Sequence, residues 1–184
     1  AFEFTSKKVR DVEVPVAEMV LLAPESTPLD IERARVTYLE AIAAALYSGR
    51  FAGTELVKVA AAVPRASSGG ARKRDLLLEG LAALVKDGYT AALPTLRRAL
   101  AVYRTAEIAV DDGLESLSIT SVVAGDVWDD ETFHLLSSRY VEIARDAGAL
   151  SELLRAINIH VIVRMLAGEL GAGAALVDEA GAVM

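Results

Sequence analysis

The chain has 184 residues, 53% of them hydrophobic but only 5% aromatic, with 19 basic side chains against 26 acidic ones for a net charge of −7. It has no cysteine, which removes disulfides, thiolate metal sites and thiol nucleophiles, and the expected compartment is a reduced cytoplasm. The negative balance repels phosphate backbones and anionic lipid, so neither nucleic-acid nor membrane binding is expected, and the longest charge-free run, 116–125, is about half the ~18 apolar residues of a membrane helix.

Residues 1–26 read as a tail and linker. Val12, Val14 and Val16 alternate with Asp11, Glu13 and Pro15 at a strand-like period, and residues 23–28 hold two prolines beside a Ser-Thr pair. From residue 27 to 184 the period becomes helical. Thr27 and Pro28 supply a helix start, Ile31, Arg35, Tyr38, Ile42 and Leu46 share one face, and Gly49 supplies a stop. A second helix is expected over residues 52–63, closed by Pro64 and followed by a Ser/Gly-rich loop at 66–71.

The same grammar recurs three more times. Leu77, Leu81 and Leu84 line a helix that ends at Asp87-Gly88, and its partner is expected to bury Ala92, Leu96, Ala99, Leu100 and Tyr103. A third pair spans 114–127 and 130–147, with Phe133, Leu136, Tyr140, Ile143 and Ala147 on one stripe. A fourth spans 150–167 and 170–180. The turns inside these pairs fall at Gly49, Gly88, Asp129 and Gly168, at intervals of 39, 41 and 39 residues. Two helices per ~40 residues predict an all-α solenoid of helical hairpins, about eight helices in all, because one hairpin cannot bury its own apolar face.

The segment DGYTAALPTLRRALAVY resembles the second half of a tetratricopeptide repeat. Ala92, Leu96 and Ala99 take the small, large and small positions, Gly80 lies twelve residues before Ala92, and Gly88 ends the preceding helix. Thr54, Gly173 and Val177 fill corresponding places in weaker copies. The expected architecture is therefore tetratricopeptide-like, with these positions structural. Trp128 is expected to plug the turn of the third pair with its ring rather than to stack on a ligand.

Catalytic and cofactor signatures are thin. There is no GxxxxGK[ST] phosphate loop, and Gly171-Ala172-Gly173 follows a helix rather than a strand, so a flexible turn between helices explains it better than a dinucleotide site. His134 and His160 sit on separate expected helices. Asp126, Asp129 or Glu131 would have to join them to hold a metal, but Asp129, Asp130 and Glu131 are better explained as carboxylates capping a helix start. No motif supports a Ser–His–Asp triad. Arg72-Lys73-Arg74 and Arg97-Arg98 are read as solvated surface, with an acidic docking partner as the alternative.

Four segments taken together carry a second resemblance: PLDIERARVTYLEAIAAALYSGRF, RDLLLEGLAALVKDGYTAALPTLRRALAVYR, VWDDETFHLLSSRYVEIARDAGAL and AGELGAGAALVDEA. In that order they are similar to the helical-repeat region of actinobacterial large LuxR-type transcriptional regulators, between the ATPase module and the C-terminal helix-turn-helix. The resemblance covers about residues 28–180. It implies an excerpt of a larger regulator in which ATP binds an N-terminal module, sometimes with a cyclase-like domain, and DNA is read by a C-terminal one. This segment would then be a non-enzymatic sensor or interaction region, with no cofactor of its own and a protein partner or small inducer. A small-ligand or catalytic helical domain, or a passive spacer, are the alternatives. The apolar Leu170, Ala174 and Val177 at one end, and Phe2 and Phe4 at the other, lead us to expect a homodimer.

Overall fold

Apolar positions at helical spacing do become helices in the computed structural model, which describes residues 73–183 together with Arg35, Tyr38, Leu39, Ile42, Val57 and residues 60–63. The fold is all-α. The described helices are α1 (Lys73–Asp87), α2 (Tyr89–Thr105), α3 (Val110–Asp126), α4 (Asp130–Asp146), α5 (Leu150–Leu166) and α6 (Leu170–Val183). No strand occurs among the described residues. The strand-like Val12–Val16 segment, Phe2 and Phe4, the Thr27 cap, Gly49, Thr54 and the 66–71 loop lie outside them. Of the first expected stripe, Arg35, Tyr38 and Ile42 are described, and all three are helical and buried.

The chain divides into two compact units, Ala1–Ala99 and Leu100–Met184, with the boundary inside α2. In the first unit, α1 buries Leu76, Leu77, Leu78 and Leu81, and Gly80 among them. A Cβ at Gly80 would lie 2.5 Å from the Leu96 side chain and 3.3 Å from its backbone nitrogen, so only glycine lets α2 approach α1 this closely. Ala92 and Ala99 are fully buried on the same side of α2. Gly88 ends α1 at φ +86° and accepts the first hydrogen bond of α2, from Ala92 N–H at 3.2 Å. Arg35, which the sequence places in an apolar stripe, donates to the carboxylate of Asp75 at 2.6 Å, both side chains buried. A buried guanidinium needs such a partner, and Asp75 also suits the positive end of α1.

The second unit is built on a finer repeat than the one visible in the sequence. Three turns, 127–129, 147–149 and 167–169, have the same hydrogen bonds. In each, the first residue donates to the carbonyl four back, the second to the carbonyl three back and the third to the carbonyl five back, at 2.8–3.1 Å. In each, the second residue has a positive φ: Trp128 at 57°, Gly148 at 63° and Gly168 at 76°. The geometric unit is therefore one helix and one three-residue turn, 20 residues long. The ~40-residue spacing of the sequence is two of these, and Gly148 is the stop that it steps over.

Consecutive helices α3, α4, α5 and α6 pack against one another, and α3 also touches α5. The charge-free run 116–125 fills the C-terminal part of α3, where Ser116, Leu117, Ser118, Ile119, Thr120 and Ser121 are all buried. Ser116 and Thr120 satisfy their hydroxyls on carbonyls four residues back, whereas the buried Ser121 hydroxyl has no hydrogen-bond partner among the described residues. Helix α3 starts at Val110, four residues before the expected start at Leu114. Gly113 lies inside it because a Cβ there would meet the Ile143 side chain at 2.8 Å.

Gly171 and Gly173 are not the flexible turn expected of them. They are helical, within the first turn of α6, and the turn itself is 167–169. Gly173 is buried, with its Cβ position in ordinary contact distance, 3.9 Å, of the Cβ of Arg164 on α5.

Candidate functional site

Because successive helices reverse direction, the turns 127–129 and 167–169 share one end of the second unit. The rings of His134, near the start of α4, and His160, near the end of α5, confirm this with centroids 5.6 Å apart. That end carries much of the unit's exposed apolar surface: Trp128 in its turn, Ile162, Met165 and Leu166 at the close of α5, and Leu170 at the start of α6. Leu150 and Val110, near the opposite end, and Val102 and Val177 are also exposed.

Trp128 is the outlier of this end. Its ring is 82% exposed, and its backbone holds a left-handed conformation that a non-glycine residue adopts at a cost of roughly 1–2 kcal/mol. The expectation that this ring plugs the turn is therefore corrected. The ring that does so is Phe133, which is buried with its edge against Gly125, where an added Cβ would stand 3.0 Å from it. At φ 57° the Trp128 side chain stands out into solvent. At Gly148 and Gly168 an added Cβ would meet nothing within 4 Å.

Carboxylates surround this end. Asp129 caps α4, its side chain accepting from the Thr132 N–H at 3.1 Å and from the Thr132 hydroxyl at 2.7 Å. Glu131 pairs with Arg104 at 2.9 Å, and Glu169 pairs with Arg164. Asp126 and Asp130 form no ion pair among the described residues. Asp126 closes α3, whose last turn has no basic residue, although a helix C-terminus favours cations. Partial burial raises its carboxyl above the usual range.

Beneath the rim lies a buried polar bridge between α4 and α5. The Nδ1 of His160 is 2.8 Å from the Ser137 hydroxyl, and its Nε2 accepts from the Nε of Arg164 at 3.1 Å. Ser137 in turn donates to the His134 carbonyl at 3.1 Å. An imidazole whose Nε2 accepts carries its proton on Nδ1, so His160 donates to Ser137 rather than drawing its proton away. Burial, then the Arg164 guanidinium and His134, lower the His160 pKa to about 4. The pair therefore lacks the free basic nitrogen that activates a serine nucleophile, and Ser137 is itself fully buried.

A second bridge is formed by Tyr140, whose hydroxyl donates to the Glu152 carboxylate. Burial and that carboxylate together raise its pKa strongly. Among the described residues no group of three or more His, Asp or Glu side chains converges to hold a metal. Arg97 and Arg98 are exposed on α2.

The structure thus places Gly80, Gly88, Ala92, Leu96 and Ala99 in the first unit, as packing and turn positions. It brings His134 and His160 together in the second, toward the end that also carries Trp128. Sequence reading missed Phe133 and Gly125 as the turn-filling pair, and Ser137 and Arg164 as the partners of His160. The 20-residue spacing of Gly148 and Gly168 signalled the turns, but no sequence spacing signalled these contacts. No family model, no curated protein and no solved structure matches the chain.

Proposed function

We propose that this chain is a non-catalytic interaction segment of a signal-responsive, ATP-dependent transcriptional regulator of the LuxR type, acting in the cytoplasm. It binds a protein partner or small inducer through its helical surface and does not touch DNA itself. The family reading rests on the four ordered sequence segments. The interaction reading rests on one observation, the exposed Trp128 ring held on a left-handed backbone. Sister turns with the same hydrogen bonds use glycine, so the ring is not needed to form the turn, and it is too exposed to stabilise the core. A backbone outlier with no internal compensation points to a role outside the fold. Tryptophan is also among the residues most enriched where partners bind.

The test is to place Trp128→Gly in the regulator gene and measure signal-dependent transcription at matched protein level. The reading predicts that the response is lost. A response equal to wild type would leave the segment as a spacer. The isolated chain is also expected to show no ATP turnover and no specific shift of duplex DNA, consistent with the missing phosphate loop and the charge of −7.

A further inference from the structure

The rim around Trp128 combines two features that together define what it takes. Its apolar side chains offer an anchor, and its charge is acidic: among the described residues Asp126, Asp129, Asp130, Glu131 and Glu169 stand there against the guanidinium groups of Arg104 and Arg164. Three of the five are committed, Asp129 to its cap and Glu131 and Glu169 to those arginines. Asp126 and Asp130 form no ion pair among the described residues, although Asp130 lies in the first turn of α4, where a carboxylate suits the helix dipole. They flank the tryptophan turn in sequence, at the end of α3 and the start of α4. A carboxylate at the end of α3 opposes the helix dipole, so two adjacent choices, Asp126 and Trp128, each act against local stability at the same place.

From this we infer that the rim docks a basic amphipathic helix of a partner protein, its apolar face on Trp128 and the end of α5 and its lysines or arginines facing Asp126 and Asp130. The inference rests on the interaction reading above and gives its partner a chemistry. Charge decides among occupants. A second copy of this chain would bring the same acidic rim and a net charge of −7, and anionic lipid would be repelled in the same way. A helix supplies apolar side chains at i, i+3, i+4 and i+7, the spacing at which amphipathic helices present anchors to a partner groove.

Trp128 is the sole tryptophan of the chain, so its fluorescence reports on this rim alone. The free chain is expected to emit like a water-exposed indole and to be quenched readily by acrylamide. An 18-residue peptide with leucines at helical spacing and lysines elsewhere should shift the emission to the blue and protect it from quencher. The same peptide with glutamates for lysines should not. Binding should weaken with salt, and Asp126→Asn and Asp130→Asn should each reduce affinity roughly two- to fivefold. Calorimetry with Trp128→Gly should show at least a tenfold loss, which separates anchoring from general attraction between a polycation and an acidic protein.

Equal protection by the acidic peptide, by neutral phosphatidylcholine vesicles, or by raising the chain's own concentration would overturn the basic-helix assignment. Absence of protection by the lysine peptide, or undiminished binding to Trp128→Gly, would overturn it as well. None of these results bears on the transcription assay, which alone decides whether the segment works through Trp128.

Discussion

The turn at 127–129 and the turns at 147–149 and 167–169 have the same backbone hydrogen bonds and the same left-handed central residue, yet one holds tryptophan and the others glycine. What differs between them is how each residue is used. Gly148 and Gly168 let the chain reverse at least conformational cost, while Trp128 reverses the chain and displays a large apolar ring. The helix caps show the same contrast. Asp129 caps α4 through its side chain, whereas Ala149, at the same point before α5, has no side-chain cap.

The largest effect that can break this 20-residue register lies inside the helices. Leu117 and Val177 are three repeats apart, and so occupy equivalent positions, but Leu117 is fully buried and Val177 is 56% exposed on α6. Leu117→Ala should cost about 2–5 kcal/mol in urea unfolding, and Val177→Ala within about 0.5. Similar losses at both would mean that α6 is covered, or that the register is wrong.

Next comes pH. The native pKa of His160 is lowered to about 4, against roughly 6.5 in an unfolded chain. The unfolded state therefore binds the extra proton across that interval, and stability falls as pH drops from about 6.5 toward 4. The slope is at most about 1.4 kcal/mol per pH unit for one proton. The groups facing the ring are Arg164, His134, Ser137 and, through Arg164, Glu169. Raising the carboxyl of Asp126 acts in the opposite sense, because its folded form holds a proton more readily. The comparison that isolates the histidine is wild type against His160→Gln, which should lose this slope. A slope that persisted in the variant would assign it elsewhere.

Smaller effects sharpen the contrast among the turns. Asp129→Ala should cost about 1 kcal/mol, and Ala149→Asp should gain up to a similar amount by supplying the cap that α5 lacks, both read as shifts in denaturation midpoint. Gly148→Ala and Gly168→Ala should each cost about 1 kcal/mol, because the left-handed backbone is retained and a Cβ is added.

Much of this fold is legible in the sequence because its helices end on strong local signals. Asp87-Gly88, Asp129 and Gly168 mark chain reversals, and of the expected stripe Phe133, Leu136 and Tyr140 are buried, Ile143 is half-buried, and Ala147, which ends α4, is exposed. The features that escaped depend on contacts between helices. Gly113 looks like a helix breaker until Ile143 is packed on it, and Gly173 like a loop although it is buried in the first turn of α6. Trp128 reads as core by its size, and only its backbone angle and the presence of Phe133 over Gly125 turn it outward. The histidine bridge joins residues 23 apart, a separation that no helical period links.

The most direct test of the central claim, that Trp128 is kept for an external partner and not for the fold, is the unfolding free energy of Trp128→Gly. Relief of the left-handed strain outweighs or balances the added freedom of glycine in the unfolded chain. The variant should therefore be as stable as wild type or more stable by up to about 1 kcal/mol. A loss of more than about 1 kcal/mol would mean that the ring packs within the protein, and would contradict this account.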